Sequence, residues 1–126
     1  MNLQNDLDAL EMKIANERYN IGQLESQLSE LDEKRKAAKE LKAYAEDVRS
    51  KPAVFDINGN SHTHARYDLE KAEEVLAKVA HSYGPVEEWL RRCKFYLESL
   101  LEQKKAFPMD KLREERRIEK LRASVA

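Results

Sequence analysis

Leucine and isoleucine recur every three or four residues through the first thirty positions: Leu3, Leu7, Leu10 and Ile14, then Ile21, Leu24, Leu28 and Leu31. Glu17 is the one interruption. At 3.6 residues per turn these side chains fall on one narrow stripe, which a second helix must cover. Written as heptads, Leu7, Ile14, Ile21 and Leu28 take position a, and Leu3, Leu10, Leu24 and Leu31 take position d. Isoleucine at a with leucine at d favours parallel dimers, a preference diluted here by two leucines at a. The stripe therefore reads as an oligomer seam centred on Leu7, Ile14, Ile21, Leu24 and Leu28. Glu17, at d, weakens that seam locally or fixes its register. Beyond Leu31 the phase changes. Strict continuation places Arg35 and Lys42 in the seam, whereas Ala38, Leu41, Ala45 and Val48 form a shifted stripe, the sign of a changed partner or of local unwinding.

Proline and glycine divide the rest of the chain. Pro52 stops the first helix, so residues 1–49 are predicted as one long helix. Asn58-Gly59 is a type I′ turn signal behind Val54, Phe55 and Ile57, and residues 50–67 are predicted as a loop or short β-hairpin. A return arm over residues 68–107 follows, with Asp68 as its N-cap. Its stripe is Leu69, Ala72, Leu76, Val79, Tyr83, Val86, Leu90, Cys93, Leu97 and Leu100. Gly84-Pro85 sits inside that stripe without disturbing its phase, which predicts two collinear helices or one kinked helix on a single seam. Val75, Trp89 and Tyr96 form a flanking row that widens the apolar face toward a bundle. Phe107-Pro108 ends the arm, and residues 108–126 are predicted as a short basic helix with Met109, Leu112, Ile118 and Leu121 as its apolar contacts. The expected fold is all-α: one domain, a long antiparallel coiled-coil-like hairpin with a β-hairpin or loop at 50–65 and a basic C-terminal helix. In outline, two coiled-coil arms joined by a β-hairpin resemble prefoldin-type chaperone subunits. The Gly84-Pro85 break and the basic tail depart from that pattern, and the resemblance is one of architecture alone.

Composition agrees. Of 126 residues, 37% are charged and 41% apolar, with three glycines and three prolines, the balance of long helices with charged outer faces. No apolar run is long enough for a membrane span, and the first residues carry neither a basic nor an apolar signal region. A single cysteine makes no internal disulfide, so a cytoplasmic location is expected. The formal net charge of −1 conceals a gradient. Residues 1–33 hold eight acids against two bases, and residues 104–122 hold eight bases against four acids.

Few constellations suggest chemistry. Asp56, His62 and His64 are the one set of metal-ligand types. On a strand, His-x-His would turn both imidazoles to one face, and a metal-dependent enzyme is the remote alternative they raise. They lack a fourth ligand, and no metal or cofactor is expected. Asp56-Ile57-Asn58-Gly59-Asn60 places its glycine wrongly for a calcium loop. Cys93 lies on the apolar stripe and reads as a buried thiol. No nucleophile elbow, phosphate-binding glycine loop or Cys-x-x-Cys occurs, so no catalytic residue is assigned and the chain is not read as an enzyme. The expectation is a non-enzymatic interaction protein: an adaptor, assembly factor or small inhibitor that binds a protein partner as a homodimer or other homo-oligomer. Its partner-binding candidates are Phe55, Asn58, His62 and His64 in the loop and Lys111, Arg113, Arg116, Arg117 and Lys120 in the tail. Nucleic acid bound through the basic tail is the alternative, set back by Glu114, Glu115 and Glu119 and by the absence of an aromatic after Phe107.

Overall fold

The computed structural model describes residues 2–51 and 61–126, the side chains of 61–63 apart. Three helices account for almost all of them: α1 (Leu3–Ser50), α2 (Ser61–Lys105) and α3 (Met109–Val125). α1 and α2 form a long antiparallel hairpin followed by the short α3, and no strand occurs among the described residues. The predicted hairpin turn at Val54 to Gly59 lies outside the described residues. One boundary is corrected. α2 begins at Ser61, so positions 61–67, expected in the loop, are helical. Ala65 explains why: it is buried, seven residues before Ala72 and fourteen before Val79, and so extends the same stripe.

Of the two forms expected at Gly84-Pro85, collinear helices or one helix, the second is found: α2 runs through both residues. Proline normally expels the preceding residue from helical geometry by a clash between its Cδ and that residue's Cβ. Gly84 has no Cβ. Both residues are exposed, so the carbonyl of His81, which loses its helical donor, lies where water can reach it.

The chain divides into two compact units. The first joins residues 1–23 to Leu90–Ala126. Its core is Leu7, Ile14, Leu90, Cys93, Leu100 and Leu112, with Leu100 and Leu112 fully enclosed. The start of α1 is capped twice. Asn2 Oδ1 accepts the Asn5 N–H at 3.3 Å, the usual N-cap bond, and Glu115 Oε2 from α3 accepts the Leu3 N–H at 3.1 Å. A carboxylate at that end also meets the positive pole of the helix dipole.

The second unit is Leu24–Trp89. Among its described residues, four of the five buried apolar ones are alanines: Ala38, Ala45, Ala65 and Ala72, with Val79. Small side chains in the seam let two helix axes approach closely, at the price of little buried apolar area. The expected phase change after Leu31 takes a milder form. Arg35 and Lys42 are half-buried, as strict heptads require, and Leu41 and Val48 are half-buried beside them. Ala38 and Ala45 belong to both phasings, so the face broadens and does not shift. Arg35 is accommodated by laying its guanidinium over the Tyr83 ring, 5.0 Å from the centroid, while its Nη2 lies 2.6 Å from Asp32.

The residues expected to form an oligomer seam thus have a partner within the chain. Leu7 and Ile14 are buried, and Ile21, Leu24 and Leu28 half-buried, along the face of α1 turned toward α2. A hairpin connection makes the two arms of this chain antiparallel.

Candidate interaction surfaces

With the seam turned inward, the exposed side chains lie on the outer faces. In the first unit these carry large apolar side chains: Phe95 is 75% exposed, Met12 and Tyr19 each 67%, and Tyr96 46%. Phe95 and Tyr96 are one helical turn beyond Arg91 and Arg92 on α2, since residues three and four apart are neighbours on a helix surface. Aromatic and arginine side chains in one patch are the composition of protein-binding centres. Leu97 and Leu100 point into the seam instead, which leaves Phe95 with no role in the hairpin's packing.

α3 is held to the same unit by Leu112, whose side chain is fully enclosed, and by half-buried Ile118. Met109 and Leu121, expected to pack, are exposed at 38% and 53%. The basic residues of this helix divide into two groups. Arg113 Nη1 lies 3.5 Å from Asp110, Arg117 Nη2 lies 2.8 Å from Glu114 Oε1, and Arg116 Nε donates to Gln4 Oε1 at 2.9 Å. Arg116 Nη2 donates to the same oxygen. Lys111, Lys120 and Arg122 are exposed. The Arg117 hydrogen bond, and then its charge, hold the Glu114 carboxyl below the ordinary glutamate range, and Glu114 in turn pushes the guanidinium up. A further ion pair joins Lys104 to Glu11 at 3.7 Å, tying the end of α2 to the start of α1 within this unit.

The second unit presents a different surface. One flank of its helix pair holds two shallow depressions of about 240 and 390 Å³. Ala37, Ala38, Leu41, Ala72 and Val75 line the first, and Leu31, Val75, Val79 and Ser82 the second. Lys34 and Val75 line both, so the depressions follow one another along the same flank. The charged residues of the lining are Lys34, Lys71 and Lys78, and no acid is among them. Lys78 Nζ lies 2.9 Å from Glu74 Oε1, and that bond, with the charges of Lys71 and Lys78, lowers the Glu74 carboxyl below its ordinary range.

The loop candidates fare unevenly. Phe55, Asn58 and Asp56 lie outside the described residues. His64 is exposed near the start of α2, and position 62 is helical as well. Positions two apart on a helix do not share a face, so the strand geometry expected for His-x-His does not apply there. Among the described residues no group of three or more His, Cys, Asp or Glu is placed to hold a metal ion. Cys93 is buried in the seam. No described helix is long and apolar enough to cross a membrane.

Phe95 and the lysine-edged flank are surfaces that stripe reading missed. Val75 at a flanking position signalled the second, because the row beside a seam is where a further helix packs. Nothing in periodicity signals a lone exposed phenylalanine. No family model matches this sequence, and neither a curated protein nor a solved structure shows significant similarity to it.

Proposed function

We propose that this chain is a non-enzymatic helical interaction protein, an adaptor, assembly factor or small inhibitor that binds another macromolecule as a homo-oligomer. The observation that carries the reading is the exposure of Phe95 and Tyr96 beside Arg91 and Arg92 on a helix whose apolar stripe is already satisfied. A phenylalanine in water forgoes roughly 2 kcal/mol of burial, which a protein partner recovers on docking. Self-association draws on outer faces such as Met12 and Tyr19, which are exposed, whereas the seam leucines are buried or half-buried. Protein is favoured over nucleic acid as the partner. Arg113 and Arg117 are paired with Asp110 and Glu114 and acids interleave the basic residues of α3, which dilutes its field at a phosphate strand.

The test pairs cross-linking mass spectrometry in the native host with sedimentation of the purified full chain. Phe95→Ala with Tyr96→Ala is expected to weaken the captured partner at least about tenfold while leaving helicity unchanged. A wild-type chain that sediments as a monomer and cross-links to no other protein overturns the proposal.

A further inference from the structure

We infer that the flank bearing Lys34, Lys71 and Lys78 receives an amphipathic helix with acidic edges, supplied by a partner protein. The inference rests on the reading of this chain as a binding protein, but it concerns a surface other than the Phe95 patch. Three features of the flank define the occupant. The first is length. The lining runs from Leu31 to Leu41 on α1 and from Lys71 to Ser82 on α2, about three turns of helix on each side, or roughly 16 Å. A guest helix of three to five turns matches it. The second is the floor. Ala37, Ala38 and Ala72 are small and Leu41, Val75 and Val79 are apolar, so a third helix approaches closely and buries the half-covered Leu41 and Val75. Leu41 and Val75 stand beside their seams, at the positions where a two-helix coil acquires further helices.

The third feature is charge. Every charged residue of the lining is a lysine, and although Lys78 shares its charge with Glu74 2.9 Å away, three cations against that one acid leave the edge positive. A lysine lays its stem along apolar surface and extends its ammonium to the edge, where it meets the flanks of whatever fills the middle. This flank set against the same flank of a second copy would bring lysines to lysines. A nucleic acid would place phosphates over an alanine and valine floor that offers neither arginine nor an aromatic for stacking. A helix with an apolar stripe bordered by glutamate or aspartate satisfies both the floor and the edges.

The experiment uses two synthetic helices of roughly 18 residues, or five turns, that share one leucine stripe at i, i+3, i+4 and i+7. One has glutamate on both flanks of the stripe and its twin has lysine. Fluorescence anisotropy with the full chain is expected to show the glutamate helix binding at least about tenfold tighter at low salt, with the advantage shrinking as ionic strength rises toward about 0.5 M. Lys34→Glu, Lys71→Glu and Lys78→Glu together are expected to reverse the preference. These residues are exposed, so the fold tolerates the change. Ala37→Trp, also at an exposed position, is expected to block both helices by filling the floor. Phe95→Ala is expected to leave all of this unchanged, which separates failure here from failure of the broader proposal. Equal binding of the twins, or indifference to the lysine substitutions, overturns the inference. So does displacement of the glutamate helix by short duplex DNA, or a chain whose oligomer dissociates with Ala37→Trp, which would give the flank to nucleic acid or to a second copy.

Discussion

Gly84 and Pro85 are each poor helix residues, yet α2 contains them in sequence without a break. Separately, proline in a helix interior costs about 3 kcal/mol and glycine about 1 kcal/mol relative to alanine. Together they interfere less, because the glycine removes the Cβ that the proline ring would strike. A double-mutant cycle checks this coupling. Pro85→Ala is expected to stabilise the chain. Gly84→Ala in that background is expected to return the full value of about 1 kcal/mol, and at least about 0.5 kcal/mol less while Pro85 remains. Denaturant melts giving the same gain in both backgrounds would show that the two residues act independently. The sequence displayed this pair plainly and left two forms open, because Gly-Pro is usual between helices and its meaning inside one depends on exposure that a sequence does not display.

Among the helices, α3 is the one fixed chiefly by a single buried side chain and a set of polar contacts. Its ion pair between Glu114 and Arg117 has a defined pH dependence. The Glu114 carboxyl is held below the ordinary glutamate range in the folded chain. Its contribution is therefore fully present above the unfolded glutamate value and is lost as pH falls through the lowered folded value. A carbonyl ¹³C titration is expected to show Glu114 protonating at lower pH than a free glutamate, and Arg117→Gln is expected to return it to the ordinary range. An unchanged Glu114 titration in that variant would assign the shift to another source. Helix existence was legible for all three elements, since the 3-4 spacing is a direct consequence of helical geometry. The start of α2 was not, because Ser, Thr and His at 61–64 resemble turn chemistry while Ala65 is too small to mark a stripe. The pairing of Arg116 with Gln4 was not legible either. The two are 112 residues apart, and nothing local in either segment announces the other.

At the scale of the molecule, the two units differ in how far apart in sequence their parts lie. Leu24–Trp89 joins arms across a connection from Ser50 to Ser61, whereas the other unit joins the first turns of α1 to α3. Closing the longer span from an open chain costs about 2 kcal/mol more in chain entropy, and little of that remains once the nearer contacts exist. Leu112→Ala is expected to destabilise the chain by about 2–4 kcal/mol, and to do so mainly by speeding unfolding, as contacts formed late do. Stopped-flow chevrons showing a slowed folding limb instead would place α3 in the folding nucleus. The fully enclosed Leu112 carries one more consequence, for the chain during synthesis. α1 and α2 leave the ribosome before α3, so the unit that holds Leu7 and Leu100 lacks Leu112 until α3 emerges. For that interval the nascent hairpin presents a sticky open end, and a factor that gripped it there would hold the protein short of completion.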